Sequence, residues 1–273
     1  MKKSISPYGW FSINYPDSWF EFEDEEGSFL FYNPNRWTGN LRVSAFKDNS
    51  RNYAHQMLEE EQKNYPNAYL KNIGGWNSVI TVEDFTEGGQ EYTSYIYLLG
   101  RGNTVLEFSF TVSKGVAPDD AEQVISSLVI RDERKSFPKE IIPVRVWEVH
   151  QVDEAFDWVS KTVKKSQKKD FTGSYEDIAK LQCLIDSGIY PPGQRETWEA
   201  IGIAFGVILT NEMDGMEWVT VVDGKNEYPA LQFTGTDFYL EPMKYLSEAI
   251  KHEDNVDLTA KFDSIKREIE SKL

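Results

Sequence analysis

Short runs of apolar and polar residues in alternation fill the first half of the chain and predict β-strands. The runs are rich in aromatic and β-branched residues. They cover residues 8–14, 28–33, 40–46, 76–82, 91–99 and 104–112. Two stretches with helical spacing of apolar residues, 51–64 and 117–128, complete this half. The pattern therefore predicts the element order β-β-β-α-β-β-β-α.

Turn residues separate these predicted strands. Tyr15-Pro16-Asp17-Ser18 is a predicted turn, because proline presets the backbone for it. Glu87-Gly88-Gly89 and Gly100-Arg101-Gly102-Asn103 have the composition of hairpin connections. The second of these is not a nucleotide-binding loop, since Val105 stands where a third glycine is needed and a strand follows instead of a helix. We expect no cofactor.

The second half of the chain is predicted to be mostly helical. Its helical patterns start at Asp153, Ser174, Glu196, Glu241 and Leu258, and Ser174 with Asp177 forms a capping-box pattern. Residues 216–222 and 228–233 are strands joined by a turn. Trp147–Val149 is either a short strand or an extension of the preceding linker.

The helix predicted at 196–213 is apolar on all sides at its centre, so we expect it to be buried. Gly202 and Gly206 lie four residues apart on one of its faces. Each glycine costs about 1 kcal/mol of helix propensity relative to alanine. We expect close approach by another element to offset this, and backbone exposed to a ligand is the alternative.

A charged stretch at 131–143, with Pro138 and Pro143, interrupts the periodic patterns and is the predicted linker. We therefore expect two domains, 1–134 and 135–273. The predicted fold class is α+β. An antiparallel sheet with helices forms the first domain, and a mostly helical α+β domain with a small hairpin forms the second.

The predicted strand order, opened by the turn Tyr15-Pro16-Asp17-Ser18-Trp19, resembles the PsbP-like fold that the Ran-binding protein Mog shares. The resemblance covers residues 5–130. It implies that a sheet face or a loop edge is presented to a protein partner. It implies no common catalytic residues, and fold alone does not assign a function.

A second motif lies in the other half. It runs from Trp198 through Phe205-Gly206 and Asn211-Glu212 to Glu217-Trp218-Val219 and Asp223. This run resembles a bacterial family of unknown function that follows a PsbP-like domain in tandem. The resemblance covers residues 150–260, and it implies an architecture but no mechanism.

Composition and charge narrow the function classes. The formal net charge of −16 repels phosphate backbones and anionic lipids, so we expect neither nucleic acid nor membrane as a partner. No run reaches the ~20 apolar residues of a membrane span. No signal-peptide pattern follows Met1-Lys2-Lys3, and a cytoplasmic bacterial protein is expected. The single cysteine, Cys183, is expected to be a buried structural residue.

Acidic residues form the most enzyme-like group in the sequence. Glu212, Asp214, Glu217 and Asp223 lie around the predicted helix-to-strand connection and hairpin. Carboxylates that converge can hold Mg²⁺ or Ca²⁺, although turns also collect Asp and Glu for capping and solvation. No nucleophile motif and no zinc-protease motif occurs. A metal-assisted hydrolase is therefore one alternative function.

Arg36 and Trp37 are the predicted binding residues. They lie in the polar stretch 33–40, which is a loop by composition. Tryptophan and arginine are enriched at the energetic centres of protein interfaces. We therefore expect a non-enzymatic protein-binding module. A small-ligand-binding protein with a pocket between the domains is the third hypothesis.

Overall fold

The computed structural model describes residues 1–23, 28–131, 137–224, 226–253 and 255–273. These residues form two compact units. Unit 1 comprises Met1–Ile142 with Asp223–Asn226, and unit 2 comprises Pro143–Val222 with Glu227–Leu273. The boundary predicted between residues 134 and 135 lies in 132–136, outside the described residues. The predicted α+β fold class is confirmed.

Unit 1 is built mainly of strands. In chain order its elements are β1 (Lys2–Ile5), β2 (Phe11–Tyr15), β3 (Phe20–Glu23), β4 (Phe29–Tyr32), β5 (Asn40–Lys47), α1 (Tyr53–Asn64), β6 (Tyr69–Ile73), β7 (Trp76–Glu87), β8 (Gln90–Arg101), β9 (Thr104–Ser113), α2 (Asp119–Ser126), β10 (Val129–Ile130) and β11 (Glu140–Pro143).

The larger sheet of unit 1 has seven strands in the order β3-β4-β5-β9-β8-β7-β6. Every neighbouring pair in it is antiparallel. A smaller sheet has the order β1-β2-β10. The alternating pattern did not predict β1, β3 and β6, which are four or five residues long. Short strands of this kind give little periodic signal.

The Tyr15–Trp19 turn is part of the unit 1 core. Trp19 is 1% exposed, and its ring stacks on Phe110 of β9 with centroids 6.1 Å apart. Tyr15, also 1% exposed, packs against Phe31 of β4 with ring centroids 4.9 Å apart. The motif that opens the predicted domain therefore joins β2 to the larger sheet by burying two large aromatic rings.

The other face of the larger sheet is covered at one end by α1. Ala54 of α1 packs on Val79, Leu98 and Val105 from three neighbouring strands. The β7–β8 hairpin continues beyond β6, which pairs only with Trp76–Ile80 of β7. The exposed hairpin end carries the candidate site described below.

Unit 2 is mainly helical. In chain order its elements are α3 (Val146–Gln167), a 3-10 turn (Tyr175–Asp177), α4 (Ile178–Asp186), α5 (Arg195–Glu212), β12 (Met216–Asp223), β13 (Asn226–Phe233), β14 (Tyr239–Leu240), α6 (Pro242–His252) and α7 (Leu258–Glu270). The capping box of Ser174 and Asp177 is present.

Helix α5 is the buried centre of unit 2, as its apolar pattern predicts. A Cβ atom on Gly202 would lie 2.5 Å from the carbonyl oxygen of Pro242, at the start of α6. A Cβ atom on Gly206 would lie 2.9 Å from the Trp218 ring. The close approach expected at these two glycines is therefore present, and α6 and β12 make it.

Two local predictions in unit 2 are wrong. Trp147–Val149 is neither strand nor linker, because α3 begins at Val146. Cys183 is exposed. The inward face of α4 is formed by Ile178, Leu181 and Leu184, and this spacing turns Cys183 toward solvent.

Candidate protein-binding surface

Trp37 lies on the loop between β4 and β5, and 52% of its surface is exposed. Its indole N–H donates a hydrogen bond to the Ser113 hydroxyl at the end of β9, with an N–O distance of 3.2 Å. The loop returns to β5 through Gly39, where φ is 101° and a Cβ atom would lie 2.6 Å from Val112. Only glycine fits this path. Trp37 is therefore exposed and held in place.

Two further aromatic rings lie beside Trp37. Tyr92 meets Trp37 edge to face, with centroids 6.0 Å apart. Phe85, which is 40% exposed, stacks on Tyr92 at 5.6 Å. The Tyr92 hydroxyl donates to Oε1 of Gln90 at 2.7 Å. We name these three residues, Trp37, Phe85 and Tyr92, the aromatic surface.

The strand register explains how residues distant in sequence come together. Phe85 of β7 lies opposite Tyr92 of β8, and Tyr92 lies opposite Ser113 of β9. Side chains directly opposite in antiparallel strands share a face of the sheet. The β4–β5 loop then brings Trp37 onto that face.

Arg36, the other predicted binding residue, is exposed beside Trp37 and makes no ion pair with a described residue. Of the two predicted residues, Trp37 is part of the aromatic surface, and Arg36 precedes it in the same loop. Sequence reasoning missed Phe85 and Tyr92. The first predicted strand of this hairpin ended at residue 82, before Phe85, and the second began at residue 91. A two-residue turn at Gly88-Gly89 would have placed Phe85 opposite Tyr92.

The two faces of the hairpin carry different charge arrangements. On the face opposite the aromatic surface, Lys114 lies 3.1 Å from Glu91 and 3.5 Å from Asp84. Thr93 donates to Asp84 at 2.6 Å, and this bond, with Lys114 nearby, lowers the pKa of Asp84. On the aromatic face, Glu83 and Glu87 are exposed and form no ion pair within the described residues. The aromatic surface therefore has an acidic border.

The predicted acidic group of the second half is engaged in local hydrogen bonds or exposed. Glu212 accepts a bond from the Tyr175 backbone N–H at 2.9 Å, and Glu217 accepts one from the Thr234 hydroxyl at 3.3 Å. Asp214 is exposed in the turn before β12, and Asp223 is the exposed last residue of β12.

In the described part of the chain, no three His, Cys, Asp or Glu residues are arranged to hold a metal ion. The geometry therefore gives the metal-assisted hydrolase no support.

Unit 2 contains a groove of about 550 Å³ formed by β14, α6 and α7. Lys261 lies in it, 5.0 Å from the Tyr245 ring centroid and 2.7 Å from Glu253. Burial raises the pKa of Tyr245. The groove carries acidic and basic groups of similar number, so its charge selects no particular ligand.

Comparison with known proteins places the chain in a family. It belongs to the family described as "Domain of unknown function (DUF3805)", whose model matches residues 1–153. The model described as "Domain of unknown function (DUF3806)" matches residues 177–262. This tandem confirms the resemblance predicted for the second half of the chain. No curated protein matches.

A solved structure matches nearly the full length of the chain. It is a crystal structure at 1.50 Å of a protein from Bacteroides thetaiotaomicron VPI-5482, 46% identical, covering 96% of this chain and 97% of that chain, with a TM-score of 0.90.

Two partial matches have low TM-scores. Mycobacterium tuberculosis LpqN, involved in cell envelope biogenesis, is 13% identical over 45% of this chain and 83% of its own, with a TM-score of 0.33. Cyanobacterial PsbP from Synechocystis sp. PCC 6803 is 13% identical over 48% of this chain and 92% of its own, with a TM-score of 0.25.

Proposed function

We propose that this protein acts by binding another protein through the aromatic surface of unit 1. The observation that carries the proposal is an exposed tryptophan fixed by a hydrogen bond to Ser113 and by ring contact with Tyr92. Rigid, exposed aromatic side chains lose little conformational entropy when a partner covers them. They therefore supply binding energy at a small entropic cost.

The chemistry around the aromatic surface agrees with a protein partner. Arg36, the exposed residue before Trp37, adds a cation with five donors to the same loop. The net charge of −16 argues against nucleic acid. Among the helices of the described residues, none has both the length and the apolar character of a membrane span.

Affinity capture with matched variants tests the proposal. The full chain, the Arg36→Ala/Trp37→Ala variant and the Trp147→Ala variant are used as baits in lysate of the source organism. Trp147 is the control, because it is 68% exposed on α3, away from the aromatic surface in sequence and in a different unit. Bound proteins are identified by mass and quantified.

The expected result is one stoichiometric partner that the full chain and Trp147→Ala retain and the double variant loses. Circular dichroism of the three baits checks that all are folded. Equal capture by the double variant would show that the partner does not bind through the aromatic surface.

A further inference from the structure

Strand β7 has a free edge next to the aromatic surface. Strand β6 pairs with β7 only from Trp76 to Ile80, whereas β7 continues to Glu87. Within the described residues, the segment Val82–Glu87 pairs with β8 on one side and with no strand on the other. All six residues of this segment are exposed. We name Val82–Glu87 the free edge.

The turn at the hairpin end determines which backbone groups point outward. Gly88 and Gly89 have φ of 57° and 80°, as in a two-residue hairpin turn with positive φ at both positions. Glu87 and Gln90 flank this turn and are its first hydrogen-bonded pair. Because the hydrogen-bonding direction alternates along a strand, the N–H and C=O groups of every second residue from Glu87 point to β8.

The intervening residues, Val82, Asp84 and Thr86, direct their backbone N–H and C=O groups away from β8. The β6–β7 pairing agrees, since a two-residue turn at Gly74-Gly75 makes Ile73 and Trp76 a hydrogen-bonded pair. The free edge therefore offers three N–H donors and three C=O acceptors in the spacing of a β-ladder.

Side-chain charge on the free edge favours one kind of strand. Glu83 and Glu87 flank Phe85 on the face that carries Trp37, and neither is paired with a described cation. Acidic residues on an edge oppose pairing with a second copy of the same acidic chain, whose net charge is −16. They attract Lys or Arg side chains, which also bind favourably over aromatic rings.

We propose that the free edge accepts an extended segment of the partner protein as an added β-strand, with Lys or Arg at alternate positions over Glu83, Phe85 and Glu87. This inference rests on the proposed function and specifies the chemistry of the partner. Main-chain hydrogen bonds to Val82, Asp84 and Thr86 supply affinity, and the alternate basic side chains supply specificity.

The probe for a test is a fluorescein-labelled nine-residue peptide in which Lys and Val alternate. One control peptide has the same composition in two blocks, five Lys followed by four Val, and a second alternates Glu and Val. Fluorescence anisotropy with the full chain measures the dissociation constants. The alternating Lys peptide is expected to bind about tenfold more tightly than either control.

Three protein variants locate the site. Thr86→Pro removes an outward N–H, and an edge position tolerates proline because the β8 ladder does not use that N–H. It is expected to weaken binding about tenfold. Glu83→Gln/Glu87→Gln is expected to weaken binding of the alternating Lys peptide and to make that binding less sensitive to salt concentration. Glu59→Gln/Glu60→Gln on α1 removes the same charge elsewhere and is expected to leave binding unchanged.

Amide hydrogen exchange of the wild-type complex gives a direct readout that needs no variant. New protection is expected at Val82, Asp84 and Thr86, whereas the amides of Glu83 and Phe85 already bond to β8. Equal binding of the alternating and block peptides, or no new protection at the three amides, overturns the strand-addition inference.

The two proposals fail separately. If capture of the native partner is lost in the Arg36→Ala/Trp37→Ala variant while the peptides give neither preference nor protection, the binding function is supported and strand addition is overturned. If capture is independent of Arg36 and Trp37, the proposed function falls whatever the peptides show.

Discussion

The indole N–H of Trp37 and the hydroxyl of Ser113 are joined by a hydrogen bond of 3.2 Å, although the two residues are 76 positions apart in the chain. The bond ties the β4–β5 loop to the last residue of β9. An exposed aromatic side chain that is held at its polar end presents one defined face to a partner.

Removing the Ser113 hydroxyl tests whether this bond orders the indole. We expect Ser113→Ala to speed exchange of the Trp37 indole proton with solvent, and to lower the free energy of unfolding by about 1 kcal/mol or less. Two-dimensional NMR follows the indole signal, which Trp37→Phe assigns by removing it. Unchanged indole exchange would mean that the contact with Tyr92 alone holds the ring.

Adding a methyl group at Gly202 tests the contact between α5 and α6. The new Cβ would lie 2.5 Å from the Pro242 carbonyl oxygen, so we expect Gly202→Ala to destabilise unit 2 by about 1–3 kcal/mol despite the better helix propensity of alanine. Urea unfolding measures the change. Gly193→Ala is the matched control, because no atom lies within 4 Å of its Cβ position. Equal stabilities would show that α6 moves aside without penalty.

A buried carboxyl gives stability a defined pH dependence. Glu148 on α3 is 3% exposed, and burial raises its pKa from 4.5 to about 7, with Glu227 adding to the effect. The Thr220 hydroxyl, which donates to Glu148, and Arg145 act in the opposite direction. Arg145 is itself paired with Glu227 at 2.7 Å.

Because its pKa is raised in the folded state, Glu148 makes the protein less stable as the pH increases. Between pH 4.5 and about 7 the unfolded chain loses this proton before the folded chain does, so stability falls over that range and the loss is complete above it. Glu148→Gln lacks this titrating group. We therefore expect its free energy of unfolding to rise by about 3 kcal/mol relative to that of wild type as the pH increases through this range. Urea unfolding at several pH values measures this, with exposed Glu270→Gln as control. Parallel profiles of wild type and Glu148→Gln would contradict it.

Asp177 organises the start of α4 and is fully buried. Its carboxylate accepts bonds from the backbone N–H groups of Thr172 at 2.6 Å and Gly173 at 2.7 Å, and it pairs with Lys180. Burial acts to raise the pKa of Asp177, but the Lys180 and backbone donors outweigh it and lower the pKa.

We therefore expect Asp177→Ala to lower the free energy of unfolding by about 3 kcal/mol, because buried donors lose their acceptor. Denaturant unfolding at neutral pH measures the loss. In Asp170→Ala, which removes a carboxylate that is 81% exposed, the loss should stay under about 1 kcal/mol. Similar losses in both variants would show that the Asp177 network is not stabilising.

Local patterns predicted most of the longer elements, and pairing in three dimensions determined the rest. Trp37 was identifiable because an aromatic residue in a polar loop is unusual in a sequence. Its partner Ser113 was not, because nothing local links residues 76 positions apart. Phe85 and Tyr92 lay within reach of the sequence, since the Gly88-Gly89 turn sets their register. In the acidic group, Glu217 is the second residue of β12 and Asp223 its last, so the extended strand separates the two by about 20 Å, although they are close in sequence.

The two glycines of α5 also affect the order in which unit 2 folds. A helix with glycine at Gly202 and Gly206 has low intrinsic stability, and the contacts that offset this come from Pro242 and Trp218, both later in the chain. We expect α5 to remain frayed during synthesis until α6 has emerged from the ribosome. Unit 2 should then fold in one cooperative step, and a chain shortened before Pro242 should lose α5 together with α6.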